Sequence, residues 1–203
     1  MVISLEPFLK LSSAFKKHGF QLYLVGGSVR DYLLKKEFTD FDMVTDATPN
    51  QMKEFLKGWN YTFEKFGTVS YKEEKLHLEI TTMRIEGKYD DSRHPSFIKF
   101  VKDIKLDYKR RDFTINSLYM DDCFHIFDFC EGQKHLKEKK LVFIGDILLR
   151  IKEDPLRILR AERFMKKLGF TMSSEDLEVL HKNEELLTLV NKNKIKEELN
   201  KFN

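Results

Sequence analysis

The 203 residues are 41% hydrophobic and 34% charged, with 9 Gly and 4 Pro, which describes a folded globular chain and excludes a disordered or collagen-like one. No run approaches the ~20 apolar residues of a membrane helix, the N-terminus reads as no signal peptide, and the two cysteines cannot build a disulfide framework, so a reducing cytoplasm is expected. The net charge of +3, with a weakly basic C-terminal third, is compatible with a polyanionic ligand but does not require one.

In chain order, apolar spacing predicts a helix over residues 4–18, stopped by Gly19. A short strand over 21–25 ends at Gly26-Gly27, and a helix follows through 28–35. A second strand covers 39–44. Thr48-Pro49 is a cap and first helical position for a helix to about Leu56. Residues 61–65, 68–72 and 76–82 read as strands, and the polar, break-rich stretch 84–96 reads as a loop. Helices are expected near 104–109 and 114–118, a strand pair around 121–127, and a short helix before Leu141. From about residue 146 the pattern is helical, with Gly169 closing the segment 155–168. The expected plan is therefore a mixed α/β body over 1–145 followed by an all-helical part over 146–203.

Alternation on a strand turns Asp40 and Asp42 to one face and Phe41 and Met43 to the core. Carboxylates two residues apart on a strand can converge on a pair of hard cations of the kind used for in-line phosphoryl transfer. A merely polar strand edge has the same Asp-x-Asp pattern. In LHLEIT, Glu79 shares a face with His77 and Thr81, and could complete a metal site if its strand neighbours that of Asp40. Gly26 and Gly27, before a helix carrying Arg30, let backbone approach a ligand and offer N–H groups to phosphate, although a plain turn is equally consistent. In RRDFTIN, Arg111 could hold a triphosphate and Asn116 could meet a sugar hydroxyl, or Asp112 and Thr114 could simply cap a helix. In EDPLRILRAERF, Asp154 before Pro155 suits a helix start. Arg157, Arg160 and Arg163 form a slowly winding stripe, and an Asp acceptor with an Arg donor fork could read the edge of a base. Cys123, His125, Cys130 and His135 match no common zinc spacing.

The order of these segments carries a resemblance. GGSVRD, DFD, a strand glutamate, RRDFTIN and EDPLRILRAERF together resemble the bacterial class II tRNA nucleotidyltransferase and poly(A) polymerase family, within the polymerase-β-like nucleotidyltransferases, over about residues 20–203. The resemblance implies an α+β fold, with a mixed-sheet catalytic head over 1–145 and a helical neck over 146–203, and without the body and tail that grip tRNA in family members about twice this long. It implies Mg2+ on Asp40 and Asp42, with Glu79 as the third carboxylate. Gly26, Gly27 and Arg30 would contact triphosphate, and Arg111, Asp112 and Asn116 the nucleotide and its ribose. Asp154 and Arg157 would select the base, oriented by Glu153, with Arg160 and Arg163 also in the nucleotide site. The implied reaction adds CMP and AMP from CTP and ATP to the 3′ end of tRNA in the cytoplasm. A-adding, CC-adding and poly(A) activities share the motifs, and a nucleotide-binding module without turnover is the alternative of another class. The stretch 84–96 resembles the loop that CC-adding members have shortened, and so favours A addition. A second copy or a separate chain could supply the missing grip on tRNA. The chain departs from the family at Asp128-Phe129-Cys130-Glu131-Gly132, where Asp-Pro-Phe-Gly-Gly is usual, and at Asn193-Lys194-Ile195-Lys196, where Ser-x-Glu-Arg is usual.

Overall fold

A computed structural model describes residues 4–87 and 96–202. They form two compact units that interleave along the chain. The first comprises Met1–Ile85, Ile98–Lys109 and Asn116–Phe129, and the second Glu86–Phe97, Arg110–Ile115 and Cys130–Asn203.

The first unit opens with α1 (Glu6–Lys17), which has Pro7 in its first turn, Glu6 at its N-terminal end and Lys16 and Lys17 at its C-terminal end, as the helix dipole favours. Its Phe8 and Phe15 are fully buried. There follow β1 (Leu22–Val25), α2 (Gly27–Leu33), β2 (Asp40–Thr45) and α3 (Pro49–Phe55). The start of α3 is a full capping box: the Thr48 side chain accepts from the Gln51 N–H, and Gln51 accepts from the Thr48 N–H. Next come β3 (Thr68–Glu73), β4 (Leu76–Thr82), β5 (Arg84–Glu86), β6 (Ile98–Phe100), α4 (Ile104–Asp107), β7 (Tyr119–Met120) and β8 (Ile126–Phe127).

Six of these strands make one mixed sheet in the order β3-β4-β2-β1-β7-β8. The β2–β4 pair is parallel, and β1–β2, β3–β4, β1–β7 and β7–β8 are antiparallel. The fold is α+β, as the sequence led one to expect. β2 is central. Its first half alternates exposed Asp40 and Asp42 with buried Phe41 and Met43, and from Val44 onward it is buried throughout. Val44 packs in a cluster with Val25, Met83, Ile104 and Tyr119, so the sheet is covered at that end and open at the Asp40 end.

Some expectations need correction. Residues 61–65 are not a strand. The Asn60 side chain accepts from both the N–H and the hydroxyl of Thr62, which turns the chain, and a 3-10 turn over Glu64–Phe66 ends at Gly67 in a left-handed conformation. Residues 84–86, expected in a loop, form β5; residues 88–95 of that loop lie outside the described residues. The expected helix at 114–118 is a single 3-10 turn, Thr114–Asn116. The strand pair near 121–127 is β7 and β8. Between them Asp121 accepts from the N–H groups of Cys123 and His125, so those two residues sit in a turn and not on a strand.

The second unit contains α5 (Gly132–Lys137), α6 (Ile147–Glu153), α7 (Leu156–Leu168), α8 (Ser174–Lys182) and α9 (Lys192–Asn200). Side chains of Asp146 and Ser173 cap α6 and α8. Gly169, in a left-handed conformation, closes α7. The segment Arg110–Ile115 belongs to this unit: the Thr114 N–H donates to Val142 and the Ile144 N–H to Asp112, and the Phe113 ring stands edge-on to Phe164 of α7 at 5.5 Å. No described helix is long and apolar enough to cross a membrane.

Candidate active site

The first unit assembles the carboxylates. The β2–β4 register pairs Asp42 with Glu79 and Asp40 with His77, so Glu79 stands beside the Asp-x-Asp pair on a neighbouring strand. The Asp40 side chain is 77% exposed, with His77 Nδ1 3.8 Å from its Oδ1. One residue that sequence reasoning did not single out fixes the pair. The buried Ser28 hydroxyl donates to the Asp40 carbonyl at 3.0 Å and accepts the Asp42 N–H at 2.8 Å, tying α2 to the start of β2. Its only sequence signal was its place in GGSVRD.

The turn from β1 into α2 requires glycine at Gly26, whose φ is 67°. Gly27 follows. A methyl group there would lie 3.5 Å from both Asp42 Oδ2 and Arg30 Nη2, and would fill the space beside them. Arg30 is buried and directed: Nε and Nη2 donate to the two oxygens of Asp31 at 2.9 and 2.8 Å, and Nη1 donates to Asn116 Oδ1 at 2.8 Å. Asn116 thus orients Arg30 and shares its site.

Among the described residues, no three His, Cys, Asp or Glu side chains converge closely enough to hold a metal by themselves. The donor set suits a hard cation of the magnesium class, which takes one or two carboxylates and completes its sphere with substrate phosphates and water. The open β2 face and the small Gly27 leave room for that sharing.

The second unit holds the other predicted residues, and most of their charge is used internally. Glu153 Oε2 accepts from Arg150 Nη1 at 2.5 Å and Arg157 Nη1 at 2.8 Å. Arg157 is buried and also donates to the Arg150 carbonyl at 2.7 Å. Asp154 Oδ1 accepts from the Leu156 N–H at 3.1 Å, a cap-like bond at the start of α7. Arg160 is paired with the buried Asp112, its Nε donating to Oδ2 at 2.7 Å. Burial alone would push the Asp112 carboxyl up, but the charge and hydrogen bonds of Arg160, helped by Arg157 and the Phe113 N–H, hold it down at about 2. Arg163 Nε donates to Glu198 Oε1 of α9 at 2.7 Å and its guanidinium lies 4.3 Å from the Phe164 ring centre. The three arginines, about 300° apart around α7, therefore serve three different neighbours. Arg111 contributes its carbonyl as an acceptor for Arg150 Nη2 at 2.5 Å. Arg150, buried and bonded to Glu153, Arg110 and Arg111, escaped the sequence reading: nothing local distinguishes it from any helical arginine.

Residues 22–142, which carry this carboxylate face and the RRDFTIN segment, match the family model described as the poly A polymerase head domain. The chain belongs to that family. Among its relatives, a CCA-adding enzyme of Staphylococcus haemolyticus is 41% identical over 165 residues, covering 81% of this chain and 41% of the relative. A CCA-adding enzyme of Lactococcus lactis is 40% identical over 206 residues, covering 97% and 50%. Among solved structures, the Bacillus stearothermophilus CCA-adding enzyme in complex with CTP superposes with a TM-score of 0.86 at 30% identity, covering 98% of this chain and 49% of that one. The Thermotoga maritima CCA-adding enzyme complexed with tRNA gives 0.76 at 28% identity, covering 98% and 46%. The chain spans about half the length or less of these relatives.

Proposed function

We propose that the chain carries the catalytic part of a metal-dependent RNA nucleotidyltransferase that adds CMP and AMP, from CTP and ATP, to the 3′ end of tRNA. One observation carries the reading: Asp40 and Asp42 share the open face of β2, with Glu79 in register beside them and the Gly26-Gly27 turn at their flank. The membership of the poly A polymerase head family and the CTP- and tRNA-bound state of related structures support it. In this reading residues 1–145 act as head and 146–203 as neck, and the protein works in the cytoplasm.

Asp40 and Asp42 would hold magnesium, with Glu79 as third carboxylate. When bound, the metal would lower the pKa of the attacking hydroxyl and neutralise phosphate charge. The RNA 3′-hydroxyl attacks the α-phosphate and pyrophosphate leaves. Gly27 admits the triphosphate close to backbone, and Arg30, aimed by Asp31 and Asn116, adds positive charge there. Ser28 holds the two aspartates in fixed register, which is the preorganisation such chemistry needs. Asp154 and Arg157 would read the base, with Glu153 fixing the Arg157 fork. Arg111, Asp112, Arg160 and Arg163 would complete the nucleotide contacts directly or by supporting that segment.

The test is extension of a tRNA lacking its 3′ CCA with CTP alone, ATP alone and both, followed by sequencing of the ends. CCA ends with both nucleotides support the reading. A run of A residues assigns poly(A) synthesis, and nucleotide binding without any pyrophosphate release overturns it.

A further inference from the structure

In-line transfer places the entering hydroxyl and the leaving pyrophosphate on opposite sides of the α-phosphate. If the triphosphate lies toward Gly26-Gly27, on the β1 side of β2, the RNA acceptor must come from the other side. This step rests on the nucleotidyltransferase reading. The sheet order makes that other side β4 and then β3. The Val44 end of β2 is packed over and its Asp40 end is exposed, so the acceptor approaches at the Asp40 end.

Two basic side chains stand there in one row. The register pairs Asp40 with His77 on β4 and His77 with Lys72 on β3, so all three share a face. Neighbouring strands are about 4.8 Å apart, so His77 and Lys72 step outward from Asp40 at one and two strand spacings. That is the span over which a terminal nucleotide runs from its 3′-hydroxyl back to its 5′ phosphodiester. Lys72 is exposed, and among the described residues its ammonium makes no ion pair. We propose that His77 and Lys72 form the seat for the phosphodiester preceding the acceptor's terminal nucleotide, aligning the 3′-hydroxyl over the carboxylates. His77 supplies an imidazole N–H and Lys72 an ammonium, and neither touches the reacting atoms. They are positioning residues for the acceptor.

The experiment uses the full chain and an RNA hairpin with a single-stranded 3′ end, carrying a normal or a neutral methylphosphonate last linkage. Binding is followed by fluorescence anisotropy, and transfer by the separate KM values for RNA and CTP. The double variant Lys72→Ala/His77→Ala should bind the normal RNA about tenfold more weakly and raise its KM in parallel, with the KM for CTP within about twofold of wild type. Lys72→Arg should keep wild-type binding, and Lys75→Ala, which removes the same charge from the adjoining turn, should change it less than about twofold. Wild type should lose about the same tenfold on the methylphosphonate RNA, and the double variant should lose nothing more. A double variant that binds normally, or that still pays the full methylphosphonate penalty, overturns the seat while leaving the nucleotidyltransferase reading intact. Absence of transfer by wild type overturns that reading and the seat with it.

Discussion

The carboxylates of β2 and the charged residues of α6 and α7 differ in how their charge is held. Asp40 lies on an open strand face with His77 beside its carboxylate, whereas Asp112, Glu153 and Glu198 are each bonded to an arginine inside the second unit. An exposed carboxylate costs little to remove, so its loss reports on chemistry alone. A buried pair cannot lose one member without leaving an uncompensated charge, so its loss mixes stability with function. The two regions therefore call for different experiments: simple truncation suffices on β2, while α7 needs conservative exchanges read beside a melting curve.

The largest effect is expected where charge is most open. Asp40→Ala should lower nucleotide addition by at least about a thousandfold while the melting temperature stays within about 2 °C of wild type, because a surface truncation costs within about 0.5 kcal/mol. Glu79→Ala should lose less, as the neighbouring-strand carboxylate. Turnover by Asp40→Ala close to wild type would break the contrast at its first side.

On α7 the expected order is reversed. Arg160→Ala strands Asp112 in a buried site, and should cost about 3 kcal/mol, or roughly 6–12 °C in melting temperature for a chain of this size. Unchanged melting would mean that the pair is as dispensable as a surface bridge. Acid gives a milder probe of the same pair. The Asp112 carboxyl is held down at about 2 from an ordinary value of 3.8, so it binds a proton more readily unfolded than folded. Its stabilisation is full above about pH 4 and is lost as the pH falls toward 2, a contribution of roughly 2 kcal/mol. The stability gap between wild type and Asp112→Asn, followed by denaturation from pH 5 to 2, should close over that window. A gap that is constant with pH would contradict the pairing.

A small stability effect is also expected at Asp154, at the start of α7. Its side chain caps the start of α7, and Asn caps about as well as Asp, so Asp154→Asn should melt within about 0.5 kcal/mol of wild type. Asn exchanges an acceptor oxygen for a donor, so a base-reading role predicts relaxed discrimination against UTP and GTP or a fall in rate. Wild-type rate and preference in this variant would leave Asp154 a helix cap only.

What could be read from the sequence followed the range of the interaction. The β2 alternation, the β4 alternation that put Glu79 with His77, the Thr48-Pro49 start and the Gly19 and Gly169 stops all depend on neighbours within a few residues, and the structure has each of them. Residues 61–65 misled because Tyr61 and Phe63 alternate like a strand, while the decisive event was one side-chain turn at Asn60. The pairing of Asp112 with Arg160 and of Arg163 with Glu198 joins positions 48 and 35 residues apart, and nothing local announces either. Ser28 lay inside a motif whose glycines and arginine drew the attention, and its two hydrogen bonds to β2 appear only once the strand is in place.

The most direct measurement compares wild type with Asp42→Asn, which keeps the side chain's shape and removes its charge. Pyrophosphate release is followed with CTP, ATP, magnesium and a tRNA lacking its 3′ end, and a melting curve is taken for each protein. Wild type should release pyrophosphate steadily and Asp42→Asn at least about a hundredfold more slowly, with overlapping melting curves. Equal release from both proteins, or none from wild type under conditions where it binds CTP, would contradict the claim that the open face of β2 carries the transfer chemistry.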